Sequence, residues 1–360
     1  MEETIQLSHK EFLKTYSDPK KAARAVDLVY VSDAQPGISR VKKGTGFTYY
    51  YKGKYLSDKK ETERIRKLVI PPAWSDVWIC PLANGHLQAT GLDALGRKQY
   101  RYHPLWQTLR NETKFHRLHE FGKVLSSLRL QVEKDICSRE LSEKKVLATV
   151  ISLMERTFIR VGNESYEKLY GSYGLTTFKD AHVSIKGNEL VFSFKGKKGI
   201  YHNISLKSKR LSRIVQACKD IPGKELFQYY DAEGNRKSID SGSINNYIKE
   251  ISGHDFTAKD FRTWAGSVAL LQSLRSIGKA STVTDCKKNI VTALDEVSQK
   301  LGNSRAICKK YYVHPELMRL YEENSLEKYF GELNKLEKCD DETGLTSDEK
   351  ILMKILKTLH

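Results

Sequence analysis

Cysteine is sparse in this chain and follows no pattern. Cys80, Cys137, Cys218, Cys286, Cys308 and Cys339 are scattered with no C-x-x-C among them. That spacing excludes a disulfide framework and a zinc ribbon, and a reducing compartment is the natural setting. Long apolar runs are missing too; none approaches the ~20 residues of a membrane span. The opening stretch, MEETIQLSHKEF, is too polar for a secretory leader, so a soluble intracellular protein is expected. Neither G-x-x-x-x-G-K-[ST] nor G-x-G-x-x-G occurs, which leaves ATP or dinucleotide use without support. The carboxylates form no cluster of the kind a metal-dependent nuclease uses. HRLHE (His116 to Glu120) holds two histidines but lacks the H-E-x-x-H order. On a helix its residues form one polar face, so no metal site is expected there. Internal repeats and low-complexity blocks are absent as well.

What the chain has in excess is positive charge. Its 360 residues carry 61 Lys and Arg against 44 Asp and Glu, a net +17, with a pI near 9.4. Such a balance points to a polyanionic partner, nucleic acid first; the alternative is a soluble protein whose charges only solvate it. The length suits two domains, or one large domain with an appendage, and 39% hydrophobic residues suffice for packed cores. A basic chain without a visible metal or nucleotide site is either a passive DNA binder or an enzyme that attacks phosphodiesters with its own side chains.

The first hundred residues read as a small α+β module. GFTYYYKGKYL predicts a hairpin, with Phe47 to Tyr51 as one arm and Lys52 to Lys54 as the turn. SDKKETERIRKLVIPPAW predicts a helix capped at Ser57 or Asp58 and ended before Pro71. DVWIC and HLQATGLD predict strands. From Pro104 to Ser138, and again from Leu141 to Ile159, apolar residues recur at helical spacing. One β-rich island follows, HVSIKGNELVFSFKGKKGIYHNISL, in which Leu190, Phe192 and Phe194 alternate with polar neighbours and KGKKG forms a basic turn. Helices resume near Ser241, and Thr257-x-x-Asp260 is a capping-box pattern opening FRTWAGSVALLQSL. The last thirty residues hold an acidic turn, CDDETG, and a capped amphipathic helix, TSDEKILMKILKTL, expected to pack on the body.

Cleaving a phosphodiester without a metal takes a nucleophile, fixed cations for the developing charge, a proton donor for the leaving oxygen, and a grip on the strand. Arginine suits the cation role because its planar fork offers two parallel donors to phosphate. Lysine can donate the proton once nearby cations draw down its pKa of about 10.4. A phenol with a pKa of about 10 is a workable nucleophile in positive surroundings. The chain offers Arg160 in FIRVGNESY at the end of a helix, Lys197 in FKGKKG, and Arg262 in the first turn after TAKDF. Tyr311 and Tyr312 follow LGNSRAICKK. Taken singly, each has a plain structural explanation, and a Tyr-Tyr pair does not say which phenol reacts.

The order Arg…Lys…Arg…Tyr carries a resemblance over roughly residues 40 to 325. The chain resembles the small type IB DNA topoisomerases of the poxvirus and bacterial kind. VIPPAWSDVWICP and ATGLDALGRKQYRYHPLW are similar to that family's DNA-clamping module, and KFHRLHEFGKVLSSLR to the helix after it. FIRVGNESYEKLYGSYGLTTFKDAHV, FSFKGKKGIYH, AKDFRTWAG and LGNSRAICKKYYVHP resemble its four catalytic segments. By this resemblance Arg160 is the arginine of R-x-G-N, Lys197 the lysine of F-x-G-K, and Arg262 the arginine of K-D-[LF]-R-T. Asn303 stands where poxvirus members have a histidine and bacterial ones an asparagine. Tyr312, nine positions later, is then the nucleophile. Tyr311, which shares a helical face with Ile307, is expected to be a packing neighbour. An asparagine at 303 donates a hydrogen bond but moves no proton near neutral pH, which leaves Lys197 as the proton donor, with Lys198 next to it as a possible contributor.

The resemblance implies an α+β protein. A small β-rich amino-terminal domain (1–102) precedes a mainly α-helical catalytic domain of the topoisomerase IB/tyrosine recombinase type (103–330). The catalytic domain carries a three-stranded β-hairpin insert, a tail with an amphipathic helix follows (331–360), and the whole forms a C-shaped clamp on double-stranded DNA. It implies relaxation of supercoils by a monomer through a 3′-phosphotyrosyl bond, with no ATP, nucleotide cofactor, metal or membrane. Gln99, Tyr100, Tyr102, Tyr166 and Lys259 match DNA-contacting positions, and Lys207, Lys209 and Arg210 in LKSKR are expected beside phosphates. The place of action would be the cytoplasm and nucleoid, or a virion or viral factory. A tyrosine recombinase uses a similar residue set but carries H-x-x-R at the second arginine, where this chain has Lys259-Asp260-Phe261-Arg262. A DNA-binding protein with a decayed site is the other rival, although all five positions hold workable residues.

Overall fold

The computed structural model describes residue 5 and residues 7–16, 18–333 and 343–359. Cys339 and the start of the expected acidic turn, 339–342, lie outside these. The chain forms two compact units, 1–117 and 118–360.

In the first unit, helices α1 (His9–Tyr16) and α2 (Pro19–Arg24) precede the strands. The Asp18 carboxylate accepts the backbone N–H groups of Lys20 and Lys21 and so starts α2. Strands β1 (Ile38–Lys43), β2 (Gly46–Tyr51) and β3 (Lys54–Tyr55), helix α3 (Lys59–Lys67), and strands β4 (Ser75–Ile79), β5 (Leu87–Leu92) and β6 (Lys98–Tyr102) follow. The strands form one antiparallel sheet in the order β3-β2-β1-β4-β5-β6. The expected hairpin is β2–β3. Its turn is tighter than the sequence suggested, because Lys54 already pairs with Tyr51. Only Lys52 and Gly53 make the reversal, both at positive φ, as a two-residue turn between twisted strands requires. Asp58 caps α3. Ile65 of that helix is buried with Ile38, Val77, Ile79 and Ala89 of the sheet. Arg40 donates to the carbonyls of Ile70, Pro71 and Trp74, which fixes the VIPPAW loop.

Helix α4 (Pro104–Ile136) contains the division between the units. Its start was expected to open the second domain. Instead Trp106 and Leu109 are buried with Phe12, Ala23 and Leu28, so burial of these side chains assigns the first turns to the amino-terminal unit.

The second unit continues with α5 (Glu143–Thr157), α6 (Glu164–Tyr170), β7 (Val183–Lys186), β8 (Glu189–Lys195), β9 (Tyr201–Lys207), α7 (Lys209–Lys219), β10 (Gln228–Tyr230) and β11 (Arg236–Ser238). Helices α8 (Ser241–Ser252), α9 (Ala258–Ile277), α10 (Val283–Leu301), α11 (Arg305–Tyr311), α12 (Pro315–Glu322), α13 (Glu327–Leu333) and α14 (Ser347–Lys357) complete it. Strands β7-β8-β9 form an antiparallel sheet. Leu190, Phe192 and Phe194 are buried on its core face, as period-two alternation dictates. The main core gathers α5, α9, the inner face of this sheet and the helices around them. Thr257 donates its N–H and its hydroxyl to Asp260 at 2.8 and 2.9 Å, the expected cap of α9. Helix α14 buries Ile351, Leu352, Ile355 and Leu356 and packs against α9, as its amphipathic pattern required.

Candidate active site

Four separate segments of the second unit meet at one pocket. Helix α5 ends at Phe158, which adopts a left-handed conformation (φ 57°) and turns the chain away. Arg160 therefore sits three residues past the helix, not in its last turn. Its carbonyl accepts from Leu175 N–H at 2.9 Å. Gly174 permits that approach, since a Cβ there would lie 2.5 Å from the same oxygen. The Arg160 Nη2 donates to Gly302 O at 3.1 Å and to Asn303 Oδ1.

Arg262 is the fifth residue of α9, just past its first turn. It is 6% exposed. Its Nη1 donates to Phe158 O and its Nη2 to Leu301 O at 2.7 Å, while Nε is buried without a partner. The two arginines thus grip consecutive carbonyls of one turn, Leu301 and Gly302, where Gly302 ends α10 at φ 58°. Burial lowers the pKa of both guanidinium groups; the charge of Arg160 lowers that of Arg262 further, and Tyr312 opposes the drop in each. Both remain cationic near neutral pH, because a guanidinium starts so high.

Helix α11 stops at Tyr311, and Tyr312 is its C-cap with φ −126° and ψ −5°. Its N–H still donates to Cys308 O at 2.9 Å. The helical-face argument for the tyrosine pair therefore fails at this point. Tyr312, not Tyr311, is the phenol packed against the main core. Its ring centre lies 5.3 Å from the Arg262 Cζ. Gly266 of α9 lies beneath it, since a Cβ there would stand 2.4 Å from Tyr312 O. Lys197 lies in the β8–β9 turn, which Gly196 N–H closes by donating to Ile200 O at 2.7 Å. Its Nζ is 5.9 Å from the Tyr166 ring centre.

These groups line a pocket of 290 Å³ whose wall includes Arg160, Tyr166, Lys197, Lys259, Arg262 and Tyr312. Asn303 is adjacent but not in the wall. Its Oδ1 is held by Arg160, and its Nδ2 is buried without a hydrogen-bond partner. Cys308 is close by; burial raises its thiol pKa, an effect that Arg262, Arg160 and Asn303 only partly offset.

Other expected contact residues are arranged less simply. Tyr100 and Tyr102 share a face of β6, with rings 5.9 Å apart and nearly parallel. Gln99 points to the opposite face, as alternation along a strand demands, and its Nε2 donates to Asp93 at 2.8 Å. Tyr102 is packed against two apolar clusters, whereas Tyr100 is exposed. Lys207, Lys209 and Arg210 are exposed and outside the pocket wall. Arg210 is paired with Glu133 at 2.5 Å.

A family model described as eukaryotic DNA topoisomerase I, catalytic core, matches residues 104–339. A second, bacterial DNA topoisomerase IB, N-terminal domain, matches residues 46–93. A DNA topoisomerase 1B of Acanthamoeba polyphaga mimivirus is 33% identical over 296 residues, which cover 80% of this chain and 88% of that one. The chain belongs to the type IB DNA topoisomerases. The DNA topoisomerase 1B of Vaccinia virus (strain Copenhagen) is 23% identical over 237 residues, 65% of this chain and 72% of its own. DNA topoisomerase 1 of Schizosaccharomyces pombe is 24% identical over 205 residues, 56% of this chain and 24% of its own. The protein is accordingly a DNA-binding enzyme that changes DNA topology, and among its described residues no helix is long and apolar enough to cross a membrane.

Sequence reasoning missed the residues that hold this topoisomerase site in shape. Gly174 and Gly266 were legible only as glycines within longer segments. His202 in GIYHN was not singled out. The carbonyls of Phe158, Leu301 and Gly302 carry no side-chain signal at all.

Proposed function

We propose that this topoisomerase relaxes supercoiled duplex DNA through a transient 3′-phosphotyrosyl bond to Tyr312. The Tyr312 phenol gives up its proton to solvent water, helped by the surrounding positive charge, and its oxygen attacks the scissile phosphorus. The bond from phosphorus to the 5′ oxygen breaks, and Lys197 supplies the proton that the departing oxygen takes up. Arg160 and Arg262 neutralise the charge that builds on the non-bridging oxygens. Asn303, held by Arg160 beside the pocket, would turn its amide N–H to a non-bridging oxygen of the same phosphate when DNA binds. The duplex turns about its intact strand. The 5′-hydroxyl then returns its proton to Lys197 and attacks the phosphotyrosine; the bond from phosphorus to the Tyr312 oxygen breaks, the phenolate takes a proton back from water, and the strand is restored. Phosphoester replaces phosphoester at each step, so supercoil strain drives the cycle and ATP has no part in it. The guanidinium and ammonium groups take the electrostatic role that a metal ion fills in other phosphoryl-transfer sites.

The observation that carries this reading is the meeting of Arg160, Lys197, Arg262 and Tyr312 at one pocket from four distant segments. The enzyme would act as a monomer. The amino-terminal unit would contact the duplex through Tyr100, Tyr102 and Gln99, closing a C-shaped clamp on DNA with the catalytic unit, and Tyr166, Lys259, Lys207, Lys209 and Arg210 would add contacts from the second unit. Its place of action is wherever its DNA lies, the cytoplasm or nucleoid or a viral factory. Plasmid relaxation in buffer containing EDTA, together with trapping of the covalent adduct, tests the proposal. Tyr311→Phe should retain both relaxation and adduct, and Tyr312→Phe should lose both. Loss of the adduct in Tyr311→Phe alone would overturn the assignment.

A further inference from the structure

His202 lies between two turns that the reaction must bring together. It stands on β9 directly opposite Phe194 of β8, and the two rings stack with centres 5.0 Å apart. One edge of the imidazole lies against Gly196, where a Cβ would fall 2.7 Å from both Cδ2 and Nε2. The other edge lies against Gly302, where a Cβ would fall 2.4 Å from Cε1. Gly196 starts the turn that carries Lys197. Gly302 sits in the turn whose carbonyls receive Arg160 and, one residue earlier, Arg262. The ring is therefore a spacer with a glycine on each side. The void left beside it, bounded also by Arg160 and Lys197, is only 20 Å³, about the room for one water molecule. Little slack remains for either turn to shift.

The ring suits this place in its neutral form. Burial lowers its pKa, and the charges of Arg160 and Arg262 lower it further. An imidazolium would repel both guanidinium groups; a neutral ring fills the space without doing so.

We propose that His202 is a positioning residue that sets the Lys197 turn at its working distance from the arginine-bound turn at Leu301–Asn303. The inference rests on Lys197 being the proton donor to the 5′ oxygen. A donor displaced by about 1 Å can lose a hundredfold in rate, and general acid catalysis as a whole contributes about 10²–10⁴-fold. Removing the ring lets the Lys197 turn collapse or swing, while the arginines stay anchored by their own carbonyl contacts.

Single-turnover cleavage tests this on two duplexes, one ordinary and one with sulfur in place of the 5′-bridging oxygen at the scissile phosphate. A thiolate leaves without a proton, so the sulfur substrate bypasses the donor. His202→Ala should cleave the ordinary duplex about 10- to 100-fold more slowly, recover most of that loss on the sulfur duplex, and bind DNA as before. His202→Gln, which keeps a planar group of similar reach, should stay within about fivefold of the parent on the ordinary duplex. Gly196→Ala, whose Cβ would collide with the ring, should slow the parent but not slow His202→Ala further. Equal losses of His202→Ala on both duplexes, no loss on either, or additive losses with Gly196→Ala would each overturn the proposal. Lys197→Ala run alongside separates the two levels. If sulfur fails to rescue Lys197→Ala, the donor assignment falls and this inference with it. If sulfur rescues Lys197→Ala but not His202→Ala, only the role of His202 is lost.

Discussion

The Arg262 guanidinium carbon lies 5.3 Å from the centre of the Tyr312 ring, although fifty positions separate the two residues in the chain. The same guanidinium holds the carbonyls of Phe158 and Leu301. One side chain thus ties the segment before Arg160, the turn before Asn303 and the proposed nucleophile into one unit. Charge and structure cannot be separated at this position by simple truncation, and the variants have to be chosen accordingly.

Arg262→Lys keeps a positive charge but cannot reach both carbonyls with a planar fork. Single-turnover cleavage should fall about a hundredfold, with duplex affinity little changed. Arg262→Ala leaves two buried acceptors without donors and should also cost about 2–5 kcal/mol of stability. Denaturant titration beside cleavage kinetics reads both. Unchanged cleavage in Arg262→Lys would remove this arginine from the proposed chemistry.

Gly266→Ala places a methyl group 2.4 Å from the Tyr312 carbonyl. That oxygen belongs to the backbone and cannot swing aside, so the tyrosine has to shift. Overpacking of this kind costs about 1–3 kcal/mol, and adduct formation should slow more than the melting temperature suggests. Gly331→Ala, also within a helix and with nothing within 4 Å of the new methyl, is the matched control: it should leave adduct formation unchanged and gain about 0.5–1 kcal/mol of stability from helix propensity alone.

Glu349 links the carboxy-terminal helix to the helix of Arg262. It is 5% exposed and accepts from Arg129 at 2.8 and 2.9 Å and from Trp264 Nε1 at 2.8 Å. Burial alone would raise its pKa, but the bonds and charge of Arg129, then the Trp264 N–H, outweigh this and lower it from 4.5. A carboxyl lowered in the folded state contributes stability that is complete above its unfolded pKa and is lost as pH falls through the folded value. Acid below about pH 4.5 should therefore weaken the parent, and Glu349→Gln should flatten that part of the pH profile. Breaking a buried pair costs about 3–5 kcal/mol; because Glu155 remains as a partner for Arg129, the low end is expected. Melting temperatures of parent and variant across pH 3–7 decide it.

Binding should depend steeply on salt. If about eight phosphates are neutralised, log affinity falls against log salt with a slope near −7. Lys259, exposed at the pocket mouth, should contribute about one unit of that slope. Titration of Tyr312→Phe and of Lys259→Ala/Tyr312→Phe with labelled duplex measures the difference. Equal slopes would place Lys259 away from the phosphates.

Local structure was legible wherever the determining contacts are close in sequence. The alternation of Leu190, Phe192 and Phe194, the Asp58 cap and the Thr257–Asp260 capping box each depend on residues within a few positions. Local pattern could not decide where an element stops, which face of it a residue takes, or which distant partner it meets. The Tyr311/Tyr312 comparison assumed helix up to 312, and the helix stops one residue short. Gln99 was grouped with Tyr100 and Tyr102 until the strand placed it on the other face. Arg210 looked free for phosphate, and Glu133, 77 positions away, holds it.

By itself the sequence determined the chemistry on offer and the family. A basic chain with ordered Arg, Lys, Arg and Tyr segments states its kinship through residue identity, and identity survives without coordinates. Tertiary structure alone decided how deeply Arg262 is buried, which tyrosine reaches the arginines, and what holds the Leu301–Asn303 turn. Those outcomes depend on backbone carbonyls and on the absence of side-chain atoms at Gly174, Gly196, Gly266 and Gly302. A carbonyl has no letter of its own, and the space beside a glycine acquires meaning only when another segment fills it.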